Sequence, residues 1–135
     1  MPIDAVVADA NVLLSAAIGK AALRVIVEHS VEVHVTEFNS SEVERHIPRL
    51  CEKFSLPQDV VELQWRLLPV TRHSEAEYEG HLGRARQQLE DRDPDDAHPL
   101  ALAKVLQLPL WSNDSDLQGH GVDCLTTAVL LKSLD

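Results

Sequence analysis

Short apolar runs alternate with stretches of helical period along almost the whole chain, and few architectures accommodate that order. "IDAVVAD" (3–9) reads as a strand covered on both faces. "NVLLSAAIG" reads as a helix closed by Gly19, and "KAALRVIVEHS" as a second one, with Leu23, Ile26 and Val27 at helical spacing. "VEVHV" (31–35) alternates apolar and polar residues, as a strand does. "SSEVERHIPRLCEKF" opens on serines that can cap a helix, which Pro48 is expected to kink or divide. "PQDVVELQWRLL" is amphipathic and starts on Pro57, a residue suited to a first helical turn. A short strand is expected near "PVTR", then a long polar helix over 75–90 and another over 97–107. "LPLWS" and "GVDCLT" complete the strands, and "TAVLLKSL" is a last helix. Strands alternating with helices imply a parallel sheet with helices on both faces, an α/β fold in three layers. No repeat, low-complexity tract or linker interrupts residues 1–135, so one domain is expected.

Ligand sites in such sheets collect at the carboxyl ends of strands. Asp9 ends the first strand, and Asp114 follows "LPLWSN". "DRDPDDAHPLALA" (91–103) packs four aspartates into six positions and then turns apolar. Pro99 lacks an N–H and is tolerated only in a first turn, so the helix begins close to 95–98 and places Asp96 at its mouth. Each acid has an ordinary alternative role. Asp95 or Asp96 can simply cap the helix, and "NDSD" (113–116) can be a plain turn. Together, however, several carboxylates on one edge either take up protons or gather a cation. Two of them about 4 Å apart repel by roughly 4 kcal/mol at an effective dielectric of 20. Oxygen-only ligands select hard ions, Mg²⁺ or Mn²⁺, over zinc. The seven histidines form no H-x-E or H-E-x-x-H pattern, and His98, at a helix start, is expected to be exposed.

The formal net charge of -10 is unfavourable for phosphate binding by surface charge alone. The basic residues cluster, though: Arg45 and Arg49 follow Glu42, and Arg84, Arg86 and Arg92 precede the aspartate run. An acidic pocket with an arginine rim fits this pattern. Cys51 and Cys124 follow no metal or redox spacing and read as reduced thiols. No apolar run approaches the ~18 residues of a membrane span, and the start lacks a basic leader, so a cytoplasmic location is expected.

"VVADANVLLSA" with Asp9, "TEFNSSEVERHI" with Glu42, "RDPDDAHPLALA" with Asp93 and Asp96, and "PLWSNDSDL" with Asp114 and Asp116 together resemble the PIN domain family of VapC-type toxin-like ribonucleases. Each motif is weak alone, but the four stand in order over nearly the whole chain. The resemblance implies an α/β/α sandwich and metal-dependent cleavage of RNA. It carries the catalytic, metal-binding acids onto Asp9, Glu42, Asp96 and Asp114, with Asp116 as a further ligand. Asp96 is preferred to Asp93 because it stands four residues before Leu100 and seven before Ala103, which turns it inward; Asp93 then supports from behind. Glu37, Glu42 and Glu44 compete by residue type, and only the resemblance selects Glu42. Asn11, Ser112 and Asn113 are expected in supporting positions, the last two able to hydrogen-bond a carboxylate or a phosphate. The resemblance also implies an antitoxin partner, which can insert an arginine among the carboxylates, and a homodimer.

Two other functions compete. A phosphatase or phosphotransfer domain also carries an Asp after its first strand. Here, though, Asn11 stands where a haloacid-dehalogenase-like protein has its second acid, and no lysine partner is evident. A non-catalytic RNA-binding or adaptor module is the second alternative.

Overall fold

Among the described residues five short strands form one fully parallel sheet: β1 (Ala5–Ala8), β2 (Glu32–Thr36), β3 (Val70–His73), β4 (Leu110–Trp111) and β5 (Cys124–Leu125). The structure, a computed structural model, describes residues 3–89 and 94–134. The strand order is β3-β2-β1-β4-β5. Connections therefore step outward from β1 in one direction through β2 and β3, and in the other through β4 and β5. The crevice between β1 and β4 is the point where the order reverses, the place at which such sheets bind ligands.

Among the described residues seven helices cover the two faces: α1 (Ala10–Ala17), α2 (Ala21–Val27), α3 (Glu37–Phe54), α4 (Gln58–Leu67), α5 (Glu79–Gln88), α6 (Ala97–Leu106) and α7 (Thr127–Leu134). On one face Val6, Ala8, Val33, Val35 and Trp111 pack against α1 to α4 and Leu130 of α7. On the other, Val7 and Leu110 pack against Leu82, Ala85 and Leu89 near α5 and the whole of Leu100–Ala103 of α6. Strand residues alternate between the two cores because side chains alternate across a strand. That double burial explains why "AVVA" carries no polar residue.

Several element boundaries differ from the sequence expectation. α3 starts at Glu37, earlier than the serines, because the Thr36 hydroxyl accepts the Asn39 N–H at 2.9 Å and caps the helix. Pro48 lies inside an unbroken α3. Pro48 and Glu44, whose carbonyl loses its partner, are both exposed, so water can take up that carbonyl. The polar helix expected over 75–90 is divided: a 3₁₀ turn at Glu75–Glu77, closed by a Ser74–Glu77 capping box, precedes α5, and Tyr78 between them turns into the core. Pro57 caps α4 rather than entering its first turn. Both cysteines are free thiols. Among the described residues no single helix is long and apolar enough to cross a membrane.

Candidate metal centre

Asp9 leaves β1 directly into α1 and is 4% exposed, an unusual position for a carboxylate. Its Oδ1 accepts the Val12 N–H at 3.0 Å, which makes it the N-cap of α1. Its Oδ2 accepts a short hydrogen bond from the Ser112 hydroxyl. Ser112 is fully buried, and its Oγ in turn accepts the Asp114 N–H at 3.0 Å. The turn after β4 is thereby fastened to the end of β1, across the crevice where the strand order reverses. Burial pushes the Asp9 carboxyl above its ordinary range, the bonds from Ser112 and Val12 pull it back, and the charge of Asp114 raises it again. The two carboxylates therefore feel each other. Cys124 on β5 lies in the same field: burial, then Asp9 and Asp114, push its thiol up to about 11, so it is a neutral neighbour.

Asp114 accepts the Asp116 N–H at 2.9 Å through Oδ1 and so caps the 3₁₀ turn Ser115–Leu117. Asp116 itself is exposed at the rim. Asn113 turns away from the acids. Its side chain accepts the Thr127 N–H at 2.9 Å and donates to the Thr127 hydroxyl at 3.3 Å, tying the start of α7 to the turn. Asn11, exposed in the first turn of α1, presents its backbone N–H to Asp9.

Glu42 lies half-buried on α3, while Val43 and Ile47 beside it are in the core. Its orientation is set by a short relay. The Thr36 hydroxyl donates to Asn39 Oδ1 at 2.6 Å, and Asn39 Nδ2 donates to Glu42 Oε1 at 2.7 Å. Thr36 and Asn39 are buried, so Glu42 is held from inside the protein. Sequence reasoning does not anticipate this relay, although T-x-x-N directly after an alternating strand is a visible capping signal.

Asp96 stands half-buried at the N-cap of α6, which packs on β1 and β2, yet it makes no side-chain capping hydrogen bond. The simple capping role does not apply to it. Asp93, with Asp91 and Arg92, lies outside the described residues. The expected exposure of His98 is wrong: it is 5% exposed, stacked on Phe38 with ring centroids 3.9 Å apart, and its Nδ1 shares a 2.7 Å hydrogen bond with the Tyr78 hydroxyl. Burial lowers its pKa, and burial likewise pushes the Tyr78 phenol up to about 12. The apolar ring faces that surround His98 are supplied from α3 and from the break before α5, which helical periodicity in α6 alone does not reveal.

Among the described residues no three histidine, cysteine or acidic side chains converge closely enough to hold a metal ion. The donor set nevertheless suits a hard cation: Asp9 and Asp114 offer oxygen only, Asp9 is buried, and the charge of Asp114 raises the electrostatic cost of ionising it.

The sequence matches the PIN domain family over residues 7–135. The chain belongs to the PIN domain family. Solved structures agree on the fold. This PIN domain is similar to VapBC2 from Rickettsia felis, in a crystal structure bound to a promoter DNA fragment, with a TM-score of 0.68 and 11% identity over 90% of this chain and 98% of that one. It is also similar to a toxin–antitoxin complex from Klebsiella pneumoniae, with a TM-score of 0.66 and 18% identity over 90% of this chain and 97% of the other. No curated protein sequence matches this chain significantly. The three-layer α/β/α architecture with a central parallel sheet, expected from the alternating pattern, is the one these structures share.

Proposed function

We propose that this PIN domain is a metal-dependent endoribonuclease, using Asp9, Glu42, Asp96 and Asp114 around Mg²⁺ or Mn²⁺, with Asp116 as a further ligand. The observation that carries the reading is the buried Asp9 carboxylate at the strand-order reversal, facing the charge of Asp114 and fixed by Ser112. A carboxylate placed there costs stability unless a cation meets it. A divalent ion held by these acids would acidify a water and offset the charge that builds on a phosphodiester during hydrolysis.

The chain's own contribution is positioning. The Val12 and Asn11 N–H groups and the Ser112 hydroxyl hold the Asp9 carboxylate in place and leave it lone-pair capacity for an ion. The Thr36–Asn39 relay aims Glu42 without exposing the relay to water. Asp96 stands half-buried at the start of α6, the helix that packs on β1 and β2. Such orienting partners commonly account for about 10–100-fold in metal affinity or activity.

The likeness to toxin–antitoxin complexes supports the finer proposal that the protein is the toxin of such a pair, with an antitoxin as partner. The test is Mn²⁺-dependent cleavage of a fluorescent single-stranded RNA. Loss of at least about 100-fold in Asp9→Asn supports the reading. Cleavage that survives that change, or that proceeds equally in EDTA, overturns it.

A further inference from the structure

The acidic centre opens onto a strip of opposite charge. Glu42, His46, Arg49 and Lys53 recur on α3 at intervals of four, three and four residues, which places all four within about 60° around the helix axis. Glu44, by contrast, points to the opposite side of the helix by the same geometry. His46, Arg49 and Lys53 are exposed, and with Leu14, Leu50 and Asn11 they line a cleft of about 250 Å³. Asn11 is two residues from Asp9, so one end of the cleft adjoins the candidate metal centre. Next to Lys53, about 100° further round the helix axis, Phe54 ends α3 and is 45% exposed. Two ammonium groups flank its ring: Lys53 Nζ lies 5.3 Å and Lys20 Nζ 5.7 Å from the centroid. Between Glu42 and Phe54 the helix rises about 18 Å.

We infer that this face of α3, together with the helix end beside it, is the track along which single-stranded RNA reaches the carboxylates: Arg49, His46 and Lys53 carry phosphates, and Phe54 at the end of the helix is a stacking platform for a base. The inference rests on the nuclease reading and adds the path of the substrate to it. Three features favour this occupant. A protein of formal net charge -10 presents a polyanion with few approaches, and this one leads to the acids. An exposed aromatic ring between cations matches the alternation of base and phosphate in a single strand. The strip also begins on the very helix that carries Glu42, so a bound strand is in register with the site. An acidic polypeptide would use the cations alone and would have no need of the ring.

The experiment measures fluorescence anisotropy of a labelled mixed-sequence single-stranded RNA on Asp9→Asn protein, which removes cleavage from the measurement. Arg49→Glu with Lys53→Glu, and separately Phe54→Ala, are compared with Arg66→Glu, a charge reversal on the exposed part of α4. The double reversal should weaken binding at least tenfold and lower the salt slope by roughly 0.7 for each phosphate that is no longer neutralised. Phe54→Ala should weaken RNA binding about tenfold and leave binding of polyglutamate unchanged. Thermal melts keep the variants comparable with their Asp9→Asn parent, since Arg49, Lys53, Phe54 and Arg66 are all exposed. Affinities and salt slopes equal to those of Arg66→Glu overturn the track. So does a Phe54→Ala variant that binds polyglutamate and RNA with equally reduced affinity, which would assign the face to an acidic protein. In the otherwise unaltered chain, KM for RNA should rise with the measured Kd. If that chain cleaves no RNA, the nuclease reading fails, and the anisotropy still decides the track.

Discussion

Ser112 donates its hydroxyl hydrogen to Asp9 Oδ2 across 103 positions of sequence. Removing that donor is predicted to raise the Asp9 pKa further, because Ser112 is the largest influence holding the carboxyl down against burial. In Ser112→Ala the Asp114 N–H also loses its acceptor. Nuclease activity should fall about 10–100-fold, with the acid limb of the pH profile displaced upward. Carboxyl carbon NMR titration of Asp9 checks the direction; an unmoved or lowered pKa contradicts it.

Asp9 and metal should be linked in stability. Its folded-state pKa is raised, so its contribution is fully present below its ordinary value of 3.8 and is lost as pH rises through the folded value. Metal-free protein near neutrality therefore carries an unfavourable buried charge. Asp9→Asn should melt at the same temperature as the unaltered chain in EDTA, or higher. Millimolar Mg²⁺ or Mn²⁺ should raise the melting temperature of the unaltered chain by the binding term RT ln(1 + [L]/Kd), and that of Asp9→Asn much less. EDTA should leave the fold standing, since its two aliphatic cores do not depend on the site. Equal responses of the two proteins to metal would count against Asp9 as a ligand.

Asp96 and Asp95 should separate. Asp96 makes no capping bond, so Asp96→Asn removes a charge without removing a cap. Activity should fall by about 100-fold or more while the melting temperature holds. Asp95 interacts electrostatically with His98, and Asp95→Asn should affect activity only mildly. Parallel cleavage assays and melts of the two variants decide this, and equal activity would return Asp96 to a structural role.

At the far edge of the sheet, Glu77 accepts from His73 Nδ1 at 3.0 Å and from the Ser74 N–H at 2.8 Å, and these bonds hold its carboxyl below the ordinary range. The sign follows directly: a lowered folded pKa contributes stability above the unfolded value of 4.5, lost as pH falls through the folded one. Glu77→Gln should flatten the acid side of the stability–pH curve. Urea melts at a series of pH values check it, and an unchanged acid slope would sink the idea.

The parts of the site legible in sequence are those governed by short-range rules. A carboxylate directly after "AVVA" cannot escape burial, and Pro99 fixes where α6 begins, so Asp9 and the surroundings of Asp96 are visible there. Asp114 is visible because a strand so short leaves its turn on the sheet edge. His98 is not, because its burial depends on Phe38 and Tyr78 arriving from other elements. The Thr36–Asn39–Glu42 relay escapes sequence reasoning because the serines at 40 and 41 are equally good caps by residue type, and only the length of β2 decides between them. The division before α5 is likewise hidden, since Tyr78 at its core-facing position fits a helical period as well as a break.

The parallel pairing of β1 with β4 has a consequence in time as well as space. Asp9 emerges early in synthesis, whereas Asp114 must travel back across most of the chain to meet it. Until β4 docks, the first strand ends in an isolated aspartate with neither Ser112 to hold it nor a second carboxylate beside it. An unfinished or partly opened molecule thus carries half of the carboxylate pair, and on the proposed reading its reactivity would arrive only with the closing of the last strands.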